Sequence, residues 1–288
     1  MIGYNMRYYN IEGTINTSQD EQYNNPNIIP CPDFYEKLET FKNTVTKEVN
    51  NKECKTYIHF GDGDYYFLTK QPIGSAMPGK RALSIPYNQF DITPYVTGFI
   101  QNDYICVELI SQCRNGFNLI YPNWKIDLNT EYLYALVCNK WFTKTFSGRI
   151  GLIGAEPKLK IIQELLKHKE YQDYLGLDDF VDYIYIPQKF ACDDINKTEQ
   201  MVAEQLKNSK SDIFLFGVGH VKSALVHRMK KYKSAVYVDV GAGIDCYAGM
   251  IDPDRPYANG WTNYRLKNYN YNDIDYLHYQ ARPTDIIL

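Results

Sequence analysis

The chain has 288 residues, 44% of them hydrophobic, and a formal net charge of -3; that suffices for one large α/β domain or two small ones with an unstapled core, and it offers no basic surplus that would point to nucleic acid. Seven cysteines (Cys31, Cys54, Cys106, Cys113, Cys138, Cys192 and Cys246) form no C-x-x-C pair, so reduced thiols in a cytoplasmic protein are the expectation. The polar N-terminus and the absence of a long apolar run predict neither a signal peptide nor a transmembrane segment.

In chain order, Met1 to Pro32 is rich in Asn, Tyr and Gln without periodicity and predicts an extended arm or loose cap. Phe34, Leu38, Phe41 and Val45 then share one face of a helix over Asp33 to Val49, so residues 1–50 read as an arm and a helix packed on the core. Thr56 to Phe60 predicts a strand, followed at once by Gly61-Asp62-Gly63-Asp64 and a short helix or extension through Leu68. Two carboxylates separated by one glycine at a strand end are arranged to share a hard cation, Mg²⁺ or Mn²⁺, which in turn binds a diphosphate. A solvated Asp-Gly turn uses the same letters. Gln71 to Pro86 has the Pro, Gly and Ser content of a lid, with Lys80 and Arg81 in reach of a phosphate. A helix around Tyr95 to Ile100, a strand from Tyr104 to Ile110, candidate ligand contacts at Arg114, Asn115 and Asn118, and a helix from Tyr132 to Phe142 follow.

From Arg149 onward strands and helices alternate with short connections. The strand to Ile153 ends in Gly154-Ala155-Glu156-Pro157, and Pro157 suits the first turn of a helix carrying Leu159, Ile162, Leu165 and Leu166. A strand over Phe180 to Ile186 and a helix opened by Asp193 or Asp194 come next. Then Ile213 to Phe216, the turn Gly217 to His220, a helix bearing Val221, Ala224, Leu225 and Met229, and the run Ala235 to Val240 make one βαβ unit. The pattern predicts a single doubly wound, mostly parallel, Rossmann-like α/β sheet over residues 51–250. Ligands of such sheets gather past the carboxyl ends of the strands, here at Gly217, Gly219, His220, Asp239, Gly241 and Asp245. Glycine lets backbone approach a phosphate, and the helix after His220 offers free N–H groups to an anion; tight turns alone would use the same glycines. Residues 251–288 read as a loop-rich tail that wraps the core or touches a second copy in a homodimer.

Two motifs carry a resemblance. His59-Phe60-Gly61-Asp62-Gly63-Asp64 is similar to the Arg-x-Gly-Asp-Gly-Glu strand end of glycosyltransferases of the GT-D structural class, and Asp239-Val240-Gly241-Ala242-Gly243-Ile244-Asp245 is similar to their late Asp-x-Gly-His-x-Asp motif. The likeness spans most of Thr56 to Tyr247, with Asp64 in place of Glu, His59 in place of Arg, and no histidine in the late motif; His220 stands at the neighbouring strand end. The resemblance implies transfer of a sugar from a nucleoside diphosphate sugar, a UDP-sugar above all, to a hydroxyl of a glycan or glycoprotein acceptor. It implies Mn²⁺ or Mg²⁺ held by Asp62 and Asp64 as a Lewis acid on the leaving diphosphate. It places Gly61, Gly154, Gly217, Gly219, His220, Asp239 and Gly241 around the nucleotide, and it makes Asp245 or Glu156 the base. The run Val238 to Gly243 also resembles the glycine motif of S-adenosylmethionine-dependent methyltransferases, but there the motif opens the sheet rather than closing it. A nucleotide-sugar-binding protein without turnover is the third expectation.

Overall fold

The computed structural model describes residues 29, 31–71, 82–250, 264–269, 271–274 and 286–288. Most of the expected arm, the lid segment 72–81 with Lys80 and Arg81, and most of the tail lie outside them.

The helices are α1 (Phe34–Asn50), α2 (Asp62–Leu68), α3 (Thr93–Phe99), α4 (Ser111–Ile120), α5 (Thr130–Cys138), α6 (Trp141–Thr145), α7 (Glu156–Leu165), α8 (Lys169–Leu175), α9 (Ile195–Leu206), α10 (Lys222–Met229) and α11 (Gly243–Tyr247). The strands are β1 (Lys55–Phe60), β2 (Tyr104–Val107), β3 (Leu128–Asn129), β4 (Ile150–Ala155), β5 (Tyr183–Ile186), β6 (Ile213–Gly217), β7 (Val236–Asp239), and a separate parallel pair, β8 (Tyr264–Arg265) and β9 (Ile286–Ile287). The first seven form one all-parallel sheet of order β3-β2-β1-β7-β6-β4-β5. It is the Rossmann-like α/β architecture.

A parallel sheet is covered on both faces, so its strands are apolar throughout and side chains alternate between two cores. Tyr57, Cys106, Leu152, Leu215 and Val238 enter one core with α1, α5, α6, α7, α8 and α11. Ile58, Ile105, Ile153, Phe214 and Tyr237 enter the other with α2, α3, α4, α9 and α10. In α1, Phe34, Leu38, Phe41, Val45 and Val49 are all buried, each stabilising by about 1.5–3 kcal/mol relative to an exposed side chain. Asp194 caps α9 by accepting the Lys197 N–H at 3.0 Å, and α8 stops at Gly176 in the left-handed region (φ 76°).

Several boundaries differ from those read in the sequence. The strand from Tyr104 ends at Val107 rather than Ile110, because the Leu109 N–H turns to the Glu131 side chain and Ile110 already serves α4. The helix read over Tyr132 to Phe142 breaks at Lys140, whose φ of 58° starts a new segment. The strand read from Phe180 begins at Tyr183, with Val181 and Asp182 before it already hydrogen-bonded to β4. The Gly61 to Asp64 run is no open loop; its aspartates sit in the first turn of α2. Among the described residues no helix is long and apolar enough to cross a membrane.

Candidate functional site

The first strand of the sheet and its last lie side by side. β1 pairs with β7 at Tyr57↔Val238, and β6 lies on the other side of β7. Their carboxyl ends therefore meet, and residues 180 positions apart in sequence touch: Asp239 Oδ2 accepts the His59 backbone N–H at 3.2 Å. Asp239 Oδ1 accepts the Gly241 N–H at 3.0 Å. Asp64, third in α2, folds back so that its Oδ2 accepts the Gly61 N–H at 3.0 Å, satisfying one of the free donors at the helix start. Asp62 stays exposed and accepts the Gly63 N–H at 2.6 Å.

The centre of this edge is Lys222, at the start of α10 and only 3% exposed. Its Nζ lies 3.0 Å from Asp64 Oδ2, 3.2 Å from Asp239 Oδ2 and 3.1 Å from His59 Nε2. An ammonium has three protons, and three acceptors surround it. A helix N-terminus repels a cation, and here two carboxylates offset that. Burial alone would lower the Lys222 pKa, but Asp239 and Asp64 overcome it and raise it. Burial alone would likewise raise both acids, yet Lys222, with His220 and His59, holds Asp64 well below the usual carboxylate range, and His59 and Lys222 lower Asp239. His59 Nδ1 lies 2.7 Å from Asp239 Oδ2, with its N–H direction off the oxygen. His220 stacks on Phe67 (centroids 4.5 Å apart, planes 3° apart), and its Nδ1 is 3.8 Å from Asp64 Oδ1, an ionic rather than a hydrogen-bonding distance.

The glycines serve mostly to bring protein against protein. A Cβ on Gly217 would run into the carbonyl oxygen of Gly241. One on Gly241 (φ 50°) would come within 2.8 Å of His59 Cε1. Gly154 faces Leu159 and Ile244, and Gly61 faces Glu108 Oε1 at 3.2 Å. Gly219, in the left-handed region at φ 62°, is different: nothing lies within 4 Å of the position a Cβ would take.

The two expected bases are ion-paired. Glu156 is exposed and bonded to Lys160 at 2.6 Å. It follows β4, three strands from β1, a separation of about 14 Å across the sheet, so it does not join the Asp64 cluster. Asp245 is buried in α11 and lies 2.5 Å from Lys158 Nζ of α7. Of the residues singled out in the sequence, the structure brings together His59, Gly61, Asp64, Gly217, His220, Asp239 and Gly241, leaves Asp62 and Gly219 at the open rim, and sets Gly154, Glu156 and Asp245 toward the β4 side.

Three charged residues at or near this edge escaped the sequence reading: Lys222, Glu108 and Glu131. Glu108 follows β2; the Cys113 thiol donates to its Oε2 at 3.2 Å and the Tyr134 hydroxyl to its Oε1 at 3.4 Å. Burial, then the Asp62 charge, raises its pKa. Glu131, 3% exposed, accepts the Leu109 N–H at 2.7 Å and is pushed up to about 8, by burial first and then by the Glu108 charge. Their signal is a lone charge inside an apolar stretch, which burial makes costly unless it has a task.

The residues do not fit the expected divalent cation. Asp62 and Asp64 diverge, one to solvent and one inward, and Asp64 Oδ2 is already shared by the Gly61 N–H and the Lys222 ammonium. Among the described residues no three His, Cys, Asp or Glu side chains are grouped to hold a metal. A cavity of about 380 Å³ lies apart from this cluster, between α1 and β1–β3, and touches Arg114 alone of the sequence candidates. Arg114 itself is spent on Asn129 and on the carbonyls of Glu108 (3.3 Å) and Val107 (3.4 Å). Comparison of the chain with protein-family models, with curated proteins and with solved structures found no match.

Proposed function

We propose that the carboxyl edge of β1, β7 and β6 binds a nucleoside diphosphate sugar, with UDP as the first nucleotide to try, and that the chain transfers the sugar to a hydroxyl acceptor on a glycan or protein. The observation that carries this reading is the buried Lys222–Asp64–Asp239–His59 cluster, built from both sequence motifs at the edge where sheets of this class hold ligands. Buried ion pairs are poor stabilisers, because desolvation cancels most of their attraction. Three buried ionisable groups, Lys222, Asp64 and Asp239, beside the part-exposed His59 at the ligand edge of a sheet favour a role in binding or chemistry.

In the proposed transfer the acceptor oxygen attacks the anomeric carbon, the bond from that carbon to the diphosphate oxygen breaks, and the acceptor proton passes to a base. Glu108, partly exposed beside Gly61 and with a raised pKa, suits that role better than the lysine-paired Asp245 and Glu156. The open backbone at Gly219 and the ring of His220 are the groups free to face the diphosphate. The methyltransferase reading draws no support: the space beside Gly241 is taken by the His59 ring and that beside Gly243 by Val240 and Val137.

Calorimetric titration and thermal shift with UDP, UDP-sugars and S-adenosylmethionine test the proposal. Ligand at 100 times its Kd stabilises by about 2.7 kcal/mol, a Tm rise of several degrees for a chain of this size. His220→Ala is expected to weaken UDP binding at least tenfold, read against its own unliganded Tm because the ring also stacks on Phe67. A response to S-adenosylmethionine alone, or to none of the nucleoside diphosphates, refutes it. Release of UDP from UDP-sugar in the presence of acceptor separates an enzyme from a binding protein.

A further inference from the structure

We infer that the Lys222 ammonium fills the cation seat of this site, so that the protein takes no divalent metal at Asp64 and binds its diphosphate ligand without one. The second half rests on the nucleotide-sugar reading; the first does not.

The geometry is specific. Three acceptor atoms from three elements, Asp64 Oδ2 of α2, Asp239 Oδ2 of β7 and His59 Nε2 of β1, converge on one point at 3.0, 3.2 and 3.1 Å, and Nζ occupies it. Two carboxylates and an imidazole are donor types that Mn²⁺ accepts, but around this point they are spaced for an ammonium and not grouped as a metal set. The ligand atoms stand about 1 Å farther from Nζ than a small hard divalent cation requires of oxygen, as suits N–H···O contacts instead. Lys222 is 3% exposed, and its three protons match the three atoms that surround Nζ. For Mn²⁺ to enter, a charged lysine would have to leave a closed pocket with both carboxylates paired. A lysine tethered by its own helix also needs no recruitment from solution, so the seat is filled at any metal concentration.

The substitution Lys222→Met keeps most of the stem and leaves the Nζ position vacant. Electron paramagnetic resonance of Mn²⁺ added to the nucleotide-free protein is expected to show no stoichiometric site in the wild type, one bound Mn²⁺ per chain in Lys222→Met, and loss of that ion in the double variant with Asp64→Asn. One Mn²⁺ bound per wild-type chain and lost in Asp64→Asn would overturn the inference. So would a folded Lys222→Met that binds none. If Lys222→Met does not fold, the wild-type titration decides alone. For the ligand, UDP affinity in excess EDTA is expected within twofold of that with Mn²⁺; a drop of tenfold or more in EDTA overturns the second half. Absence of UDP binding under both conditions counts against the nucleotide-sugar proposal, while the Mn²⁺ titration still judges the seat.

Discussion

Glu131→Gln is the substitution from which the buried acid pair yields a measurable number. Glu131 is closed off, one oxygen accepts the Leu109 N–H, and among the described residues nothing hydrogen-bonds the other. Burial and the neighbouring Glu108 lift its pKa from 4.5 to about 8. Below the unfolded value both states hold the proton and the native state keeps its full advantage. As pH rises from there toward 8, the unfolded chain sheds the proton and the folded one retains it, so stability falls. At about 1.36 kcal/mol per pH unit the ceiling is about 4.8 kcal/mol, of which about 3.8 kcal/mol falls between pH 5 and pH 8.5, and local adjustment brings the expectation over that window to about 2–4 kcal/mol. Glutamine retains an acceptor for Leu109 and cannot ionise; its amide, facing no partner, costs about 1–3 kcal/mol at every pH. Urea unfolding of both proteins at pH 5 and pH 8.5 should therefore show the variant equal or weaker at the lower pH and gaining about 2–4 kcal/mol on the wild type by the higher one. Groups that do not touch Glu131 titrate alike in both proteins, so the difference reads Glu131 together with its coupling to Glu108. Stability curves that stay parallel within about 0.5 kcal/mol across this range would show that Glu131 does not carry the shifted proton.

Two further substitutions probe the strand ends and one helix start. Gly217→Ala drives a methyl into the Gly241 carbonyl and should cost more than about 3 kcal/mol, above the usual overpacking range. Gly219→Ala meets only its left-handed φ of 62° and should cost about 1–2 kcal/mol; equal losses in urea unfolding would contradict the packing described. Asp194→Ala removes the cap on the Lys197 N–H and should lower stability by about 1 kcal/mol, read as a Tm shift with unchanged far-ultraviolet circular dichroism.

Much of the fold was legible because it rests on local signals. Apolar runs closed by glycine gave β1, β4, β6 and β7, and the spacing of Phe34, Leu38, Phe41 and Val45 gave α1. β3 and α8 were not, since a two-residue strand exists only by its pairing with β2, and α8 is short and mostly polar. Within the site, His59, Asp64 and Asp239 were visible as strand-end residues. Lys222 was hidden, because its role depends on the three acceptors that tertiary structure brings around it. The glycines misled for a related reason: a sequence shows that Gly217 and Gly241 lack side chains, not that the first makes room for the Gly241 carbonyl and the second for the His59 ring. Asp62 and Asp64 invited a chelating pair by spacing alone, yet the first turn of α2 points them apart.

The placement of β7 between β1 and β6 has a consequence for synthesis. A nascent chain that has emerged through Met229 holds β1–β3 and β4–β6 as two half-sheets with the slot between them unfilled. Neither half can complete its hydrogen bonding until the four residues Val236–Asp239 thread into the middle. Such late, long-range closure slows folding and leaves strand borders open to wrong partners in the meantime. Any truncation before residue 236 splits the molecule along its centre instead of trimming its margin.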